Sequence, residues 1–201
     1  ISTLDINDDL FPTDITKLQP ERISDIAEFD VVIHLAAKVK VNESVTKPWL
    51  YYNTNVNGTK KLLKYVKCGH FIFASTGVAE NPTNPYALSK RIAEDVVKEH
   101  CEKTQTNYTI FRFYNVIGSD GFEPTNPDGL FYNLNKASET GRLNLYGTNY
   151  DTFDGTCMRD YIHVNEVCHA IISSLDKASN QIENLGTGQG HTVMEIIRQY
   201  K

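Results

Sequence analysis

The chain has 201 residues, 40% of them hydrophobic and 22% charged, with a formal net charge of −5 at pH 7. This is the composition of a globular protein with material for a sizeable core. The acidic balance and the lack of a basic run argue against a nucleic-acid surface, and no apolar stretch reaches the roughly 20 residues of a membrane span.

Ile1-Ser2-Thr3-Leu4-Asp5 carries no basic flank or apolar signal core. Cys68, Cys101, Cys157 and Cys168 are scattered, with no Cys-x-x-Cys pair. That favours reduced thiols over disulfides or a metal site, and suits a cytoplasmic protein.

Residues 1–6 read as a short strand closing on Asp5. Asp5 is either a strand-end turn residue or a carboxylate placed to accept hydrogen bonds from a cofactor ribose. Phe11-Pro12-Thr13-Asp14-Ile15 reads as a second short strand leading into a helix over 17–29. Asp30-Val31-Val32-Ile33-His34-Leu35-Ala36-Ala37 is a continuous apolar run, the mark of a strand covered on both faces. The small residues that end it allow something flat to lie against the backbone, and His34 inside it reads as a satisfied core histidine.

Residues 48–66 read as a long helix, although Asn53, Asn55, Asn57 and Gly58 are poor helix formers in its middle. Close packing at Gly58 and a polar contact from Asn55 across the top of a sheet would explain them. Trp49, Tyr51 and Tyr52 read as packing or a subunit contact. A buried strand, Phe71-Ile72-Phe73-Ala74-Ser75-Thr76, precedes a helix over 86–103, and Tyr108-Thr109-Ile110-Phe111-Arg112-Phe113 is another strand, ending in Tyr114-Asn115. The alternation predicts an α/β fold with a doubly wound parallel sheet.

After Asn115 the texture changes. Residues 118–129 form a Gly/Pro/Asp/Asn-rich seam, a helix covers 131–139, 143–154 suits a hairpin or lid, and another helix covers 165–175. The run Gly186-Thr187-Gly188-Gln189-Gly190 resembles a phosphate cradle, but its context favours a turn.

The chemistry concentrates in Asn84-Pro85-Tyr86-Ala87-Leu88-Ser89-Lys90. Helix positions four apart share a face, so Tyr86 and Lys90 point into one pocket. An ammonium beside a phenol favours the phenolate, giving a proton acceptor and donor near neutral pH. Thr76, delivered by the preceding strand, can hydrogen-bond the same substrate oxygen.

Several stretches together resemble the UDP-glucose 4-epimerase family of extended short-chain dehydrogenases/reductases. They are Val32-Ile33-His34-Leu35-Ala36-Ala37 with Glu43-Ser44-Val45, Tyr51-Tyr52-Asn53-Thr54-Asn55-Val56-Asn57-Gly58-Thr59, Pro85-Tyr86-Ala87-Leu88-Ser89-Lys90 and Asn184-Leu185-Gly186-Thr187-Gly188. The most telling is Asp154-Gly155-Thr156-Cys157-Met158-Arg159-Asp160-Tyr161-Ile162-His163-Val164.

The resemblance implies a Rossmann-like sheet binding NAD over residues 1–115. A smaller portion over 116–201 would bind the nucleotide sugar, with 160–185 returning to the Rossmann core. It implies cofactor contacts from Asp5, Asp14, Ile15, Leu35, Ala36, Ala37, Thr54, Asn55 and Tyr114. Thr76, Tyr86 and Lys90 would be the catalytic trio, also touching the cofactor. UDP-sugar contacts would come from Asn115, Asn133, a strand at Asn144-Leu145-Tyr146, and Arg159, whose guanidinium fork suits a diphosphate. The structural alternative for Arg159 is an ion pair with Asp154 or Asp160.

The implied activity is reversible inversion at C4 of a UDP-hexose through a 4-keto sugar, in a homodimer. A nucleotide-sugar 4,6-dehydratase is the first rival, but it would want acidic residues directly after Thr76, where Gly77 and Val78 stand. A non-catalytic NAD- or sugar-binding relative is the second. The family's glycine-rich turn would lie upstream of Asp5 and its uridine-closing portion beyond residue 201, so the chain is expected to be truncated at both ends. A family lysine near the cofactor falls on Val39, between Lys38 and Lys40, and the loop from Thr76 to Tyr86 is shorter than usual.

Overall fold

In the computed structural model, which describes residues 14–18, 28–119, 121, 126–177 and 179–200, the chain divides into two units. The first comprises Ile1–Arg112 with Ser173–Asn184, and the second Phe113–Ile172 with Leu185–Lys201. The strand expected over 1–6, Asp5 and most of the helix expected over 17–29 lie outside the described residues. Met158–His163 pairs with strands of the second unit, and Ser173–Asn184 belongs to the first.

Among the described residues the first unit is built on a four-stranded sheet in the order β1-β2-β3-β6. Its strands are β1 (Phe29–His34), β2 (Cys68–Thr76), β3 (Asn107–Phe113) and β6 (Gln181–Leu185). β1 and β2 run parallel, with Ile33 opposite Ile72 and His34 opposite Phe73. Strand β1 stops at His34, short of Ala37, and Ile33 remains exposed, so the apolar run is not covered on both faces among the described residues.

His34 is buried as expected. Its Nε2 lies 2.9 Å from Thr59 Oγ1, its ring packs on Phe71 and Phe73, and burial pushes its pKa down to about 3. Residues 11–13 of the expected second strand lie outside the described residues, and Ile15 belongs to a 3-10 turn, Ile15–Lys17, capped by the Asp14 carboxylate, which accepts from Thr16 N at 2.8 Å.

The helices of this unit are α1 (Val41–Thr46), α2 (Pro48–Tyr51), α3 (Thr59–Tyr65) and α4 (Pro85–Thr104). Between α2 and α3 the expected single helix widens into a π segment, Tyr52–Gly58, the stretch rich in asparagine. Asn55 lies in that wider turn and reaches out of its own helix, as described below. Gly58 is needed for close approach, since a Cβ there would lie 2.7 Å from Ile15 Cδ1.

Helix α4 starts where its sequence directs. Asn84 accepts from Ala87 N at 2.9 Å, Pro85 fills the first turn, and Gln105 ends the helix with a φ of 56°. Its inner face, Ala93, Val97 and Cys101, joins Leu62, Leu63, Phe71, Phe73, Tyr108 and Ile110 in the core.

The second unit holds a three-stranded sheet, β4-β5-β7, from β4 (Asn115–Ile117), β5 (Met158–His163) and β7 (Gly190–Thr192). β4 and β5 are parallel, β5 and β7 antiparallel. Its helices are α5 (Leu130–Thr140), α6 (Val164–Leu175, which runs into the first unit at Ser173) and α7 (Val193–Gln199). Helix α7 opens with a reciprocal cap between Thr192 and Glu195. The strand expected at Asn144-Leu145-Tyr146 is absent. Residues 142–147 are irregular, and the following segment folds back in turns, with Tyr150 N bonded to Gly155 O at 2.9 Å.

Candidate active site

Three elements of the first unit carry the candidate chemistry. Thr76 ends β2, and Tyr86 and Lys90 lie one turn apart at the start of α4. The Thr76 hydroxyl lies near enough to the Tyr86 phenol to favour its ionised form. Lys90 is 3% exposed, with its Nζ 4.1 Å from the centre of the Phe73 ring. Asn55 braces this end of the sheet: its Oδ1 accepts from Lys38 N at 2.8 Å, and its Nδ2 donates to Lys38 O at 3.0 Å and Ser89 Oγ at 2.9 Å. The Ser89 hydroxyl donates in turn to Tyr86 O at 2.7 Å.

The electrostatics differ from the simple picture of an ammonium acidifying a phenol. Burial pushes the Tyr86 phenol up, and the influence acting downward is the Thr76 hydroxyl. Lys90 is itself driven to about 7 by burial, with the Glu94 carboxylate pulling the other way. A lysine poised between amine and ammonium lends its neighbour less charge than a fully protonated one.

A second tyrosine stands beside the first. Tyr51 is fully buried, its ring 6.4 Å from that of Tyr86, and its hydroxyl donates to Glu43 Oε2 at 3.0 Å. Burial, then the Glu43 contact, push the Tyr51 phenol to about 12, so it acts as a fixed donor and not as a base.

Two groupings were missed in the sequence. Tyr51 packs edge-to-face on Tyr86, a packing partner that the aromatic cluster did not specify. Glu94 pairs with Arg112 and Ser75, and the signal for it was the i+4 spacing of Lys90 and Glu94 on the buried face of α4.

Beyond β1 the backbone presents Leu35, 61% exposed, and Ala36, also exposed, while Ala37 and Thr54 are half-buried.

In the second unit the residues expected to hold a sugar nucleotide have mixed settings. Asn115 Nδ2 donates to Asp160 O at 3.0 Å, and Asn133 Nδ2 donates to Pro127 O and Gly129 O, so both amides hold backbone. Asn144 and Leu145 are exposed, and Tyr146 is 79% exposed. Tyr114 is exposed, with its N–H on Leu185 O at 3.1 Å.

Arg159 is exposed and donates to Met158 O at 2.9 Å. The carboxylates offered as its alternative partners are engaged elsewhere. Asp154 accepts from Thr156 and Thr192, and Asp160 from Thr187 N, Thr187 Oγ1 and Gly188 N. The glycine run is thus a turn seated on Asp160, and a Cβ at Gly186 would lie 2.4 Å from Asp160 Oδ2. Among the described residues no group of three or more His, Cys, Asp or Glu is placed to hold a metal ion.

Residues 5–186 match the NAD dependent epimerase/dehydratase family. The chain belongs to that family. UDP-glucose 4-epimerase 2 of Arabidopsis thaliana is 33% identical over 90% of this chain and 61% of its own length. Human UDP-glucose 4-epimerase is 35% identical over 85% of this chain and 58% of its own length.

Among solved structures, the Brucella ovis UDP-glucose 4-epimerase in complex with NAD superposes with a TM-score of 0.79 at 31% identity, covering 92% of this chain and 66% of that one. The Stenotrophomonas maltophila enzyme, with bound NAD and formylated UDP-arabinopyranose, gives 0.80 at 26% identity, covering 93% and 65%. The chain therefore spans about three-fifths of the length of these curated family members, and its sheet and helix pattern is that of the family's Rossmann-like fold.

Proposed function

We propose that this protein catalyses NAD-dependent, reversible inversion at C4 of a UDP-hexose, interconverting UDP-galactose and UDP-glucose through a 4-keto sugar. The observation that carries the reading is Thr76 at the end of β2 beside Tyr86, with the buried Lys90 one turn further along α4 over the Phe73 ring.

The residues present fit NAD. The exposed Leu35-Ala36 shelf suits a flat ring system, and Lys90 is a donor for a ribose hydroxyl. Asp14, Ile15, Ala37, Thr54, Asn55 and Tyr114 complete the described set we assign to it, with Asp5 outside the described residues. When bound, the nicotinamide supplies the redox step, accepting and returning hydride at C4 of the sugar.

The chain supplies proton transfer and position. The Tyr86 phenol exchanges a proton with the sugar 4-hydroxyl, Thr76 shares that oxygen, and Lys90 tunes the phenol as its own charge changes. Tyr51, fixed as a donor to Glu43, holds the Tyr86 ring in place. In the second unit we assign the diphosphate to Arg159, which is exposed and whose acidic neighbours are already occupied. Asn115, Asn133, Asn144, Leu145 and Tyr146 form the remaining sugar-nucleotide set.

The reading extends to a homodimer in the cytoplasm. The dimer is supported by the exposed apolar side chains of Trp49 and Val45. Sedimentation at micromolar concentration tests the dimer, and a monomer would remove that part.

The main test is NMR of UDP-galactose incubated with the full-length protein and NAD. Appearance of UDP-glucose is expected; a 4-keto-6-deoxy product would move the protein to the dehydratases.

A further inference from the structure

Glu94 is a carboxylate with no exposed surface, four residues past Lys90 and eight past Tyr86 on the same helix. A buried charge is costly unless every lone pair is used. Here both oxygens are taken. Oε1 accepts from Ser75 Oγ at 2.6 Å and Arg112 Nε at 3.0 Å, and Oε2 accepts from Arg112 Nη2 at 2.8 Å.

One carboxylate therefore ties α4 to β2, at the residue before Thr76, and to β3 near its end. Arg112 Nη1 also lies 3.8 Å from Glu80, in the loop joining Thr76 to Tyr86. Ser75 leads to the strand end, Glu80 to the loop and Glu94 itself to the helix that present Thr76, Tyr86 and Lys90.

We propose that Glu94, locked by Ser75 and Arg112, is a positioning residue that sets Lys90 and Tyr86 against the end of β2. The proposal rests on Tyr86 and Lys90 being the reacting pair. Around Lys90, β1 contributes His34, neutral above about pH 3, β2 contributes the Phe73 ring, and α4 contributes Glu94 together with Tyr86 one turn earlier. Glu94 is the negative charge in that set, and it favours the lysine's ammonium form.

Replacing a buried ion pair by apolar residues is often neutral for stability. A purely structural pair would therefore leave both Lys90 and turnover unmoved in the Glu94→Met/Arg112→Met protein. The test uses that double variant and Ser75→Ala in the full-length protein. Two readouts are taken: kcat and KM for UDP-galactose, and the titration of Lys90 followed by NMR of labelled lysine side chains.

For the double variant we expect kcat to fall at least about tenfold with KM within about twofold. The Lys90 midpoint should move down by about one pH unit, since the ammonium loses its carboxylate. A folded double variant with wild-type kcat and an unmoved Lys90 titration overturns the proposal. If the double variant fails to fold, Ser75→Ala decides: it keeps the ion pair, and a roughly threefold fall in kcat at constant KM supports the proposal, whereas wild-type kcat and titration overturn it. The lysine titration needs no substrate. A wild type that turns over no UDP-galactose thus defeats the assigned reaction, while the titration still decides what Glu94 does.

Discussion

The two units both knit acidic side chains across long stretches of sequence, yet they use them differently. In the first, Glu94 has no exposed surface and meets a guanidinium 18 residues away, within reach of a lysine that is itself buried. In the second, Asp160 meets backbone N–H groups and a hydroxyl, at 2.7–2.9 Å, and its work is to shape the Gly186-Thr187-Gly188 turn. Burial in the first unit couples charges to one another; partial exposure in the second fixes backbone and leaves Arg159 and Tyr146 facing outward. Proton chemistry benefits from the first arrangement, and recognition of a charged ligand from the second.

The sharpest way to break this comparison is to remove an exposed group. Arg159→Ala should raise KM for the UDP-sugar by about 10- to 100-fold, the loss of a charge-assisted contact. It should leave stability within about 0.5 kcal/mol, as for other surface changes. Steady-state kinetics and denaturant melts check both, and an unchanged KM would remove Arg159 from the diphosphate site.

Lys90→Met probes the buried side. The folded Lys90 pKa is lowered from 10.5 to about 7, so its stability contribution is complete above 10.5 and is lost as pH falls through 7. At pH 7 the lysine therefore costs stability. The methionine variant should be more stable by roughly 2–4 kcal/mol while losing turnover, a trade common at active sites. Urea unfolding at pH 7 reads this directly, and a destabilised variant would contradict it.

His34 gives a smaller effect in the same sense. Its folded pKa lies near 3 against 6.5 in the unfolded chain. Its stabilisation is present above 6.5 and drains as pH falls toward 3, amounting to about 2 kcal/mol between pH 7 and pH 5. Comparing urea unfolding of the wild type and His34→Gln at the two pH values isolates that term. The smallest is Asn84→Ala, which should cost about 1 kcal/mol through the lost helix cap; thermal melts check it.

What the sequence made legible was local. Asn84-Pro85 marked the start of α4, the spacing of Tyr86 and Lys90 put both on one face, Gly58 signalled close packing, and the glycine run read as a turn. What it hid depended on partners distant in sequence. The π segment is the place from which Asn55 reaches Lys38 and Ser89, 17 and 34 residues away. The Glu94–Arg112 pair sat unseen because an arginine in an apolar strand reads as a strand residue until its carboxylate is found. Asn144-Leu145-Tyr146 looked like a strand by resemblance, yet it pairs with none in the described residues. Lys90 was legible as a cation but not as a half-charged one, since burial depth is a property of the folded core.

The most direct test of the account is the turnover of UDP-galactose by Tyr86→Phe beside the wild type, with NAD and UDP binding measured on both proteins. The account predicts a loss in kcat of about 10³-fold, in the range for removal of a general acid–base, with binding kept. Near-normal turnover by the phenylalanine variant would contradict it and send the search for the proton-transfer group elsewhere.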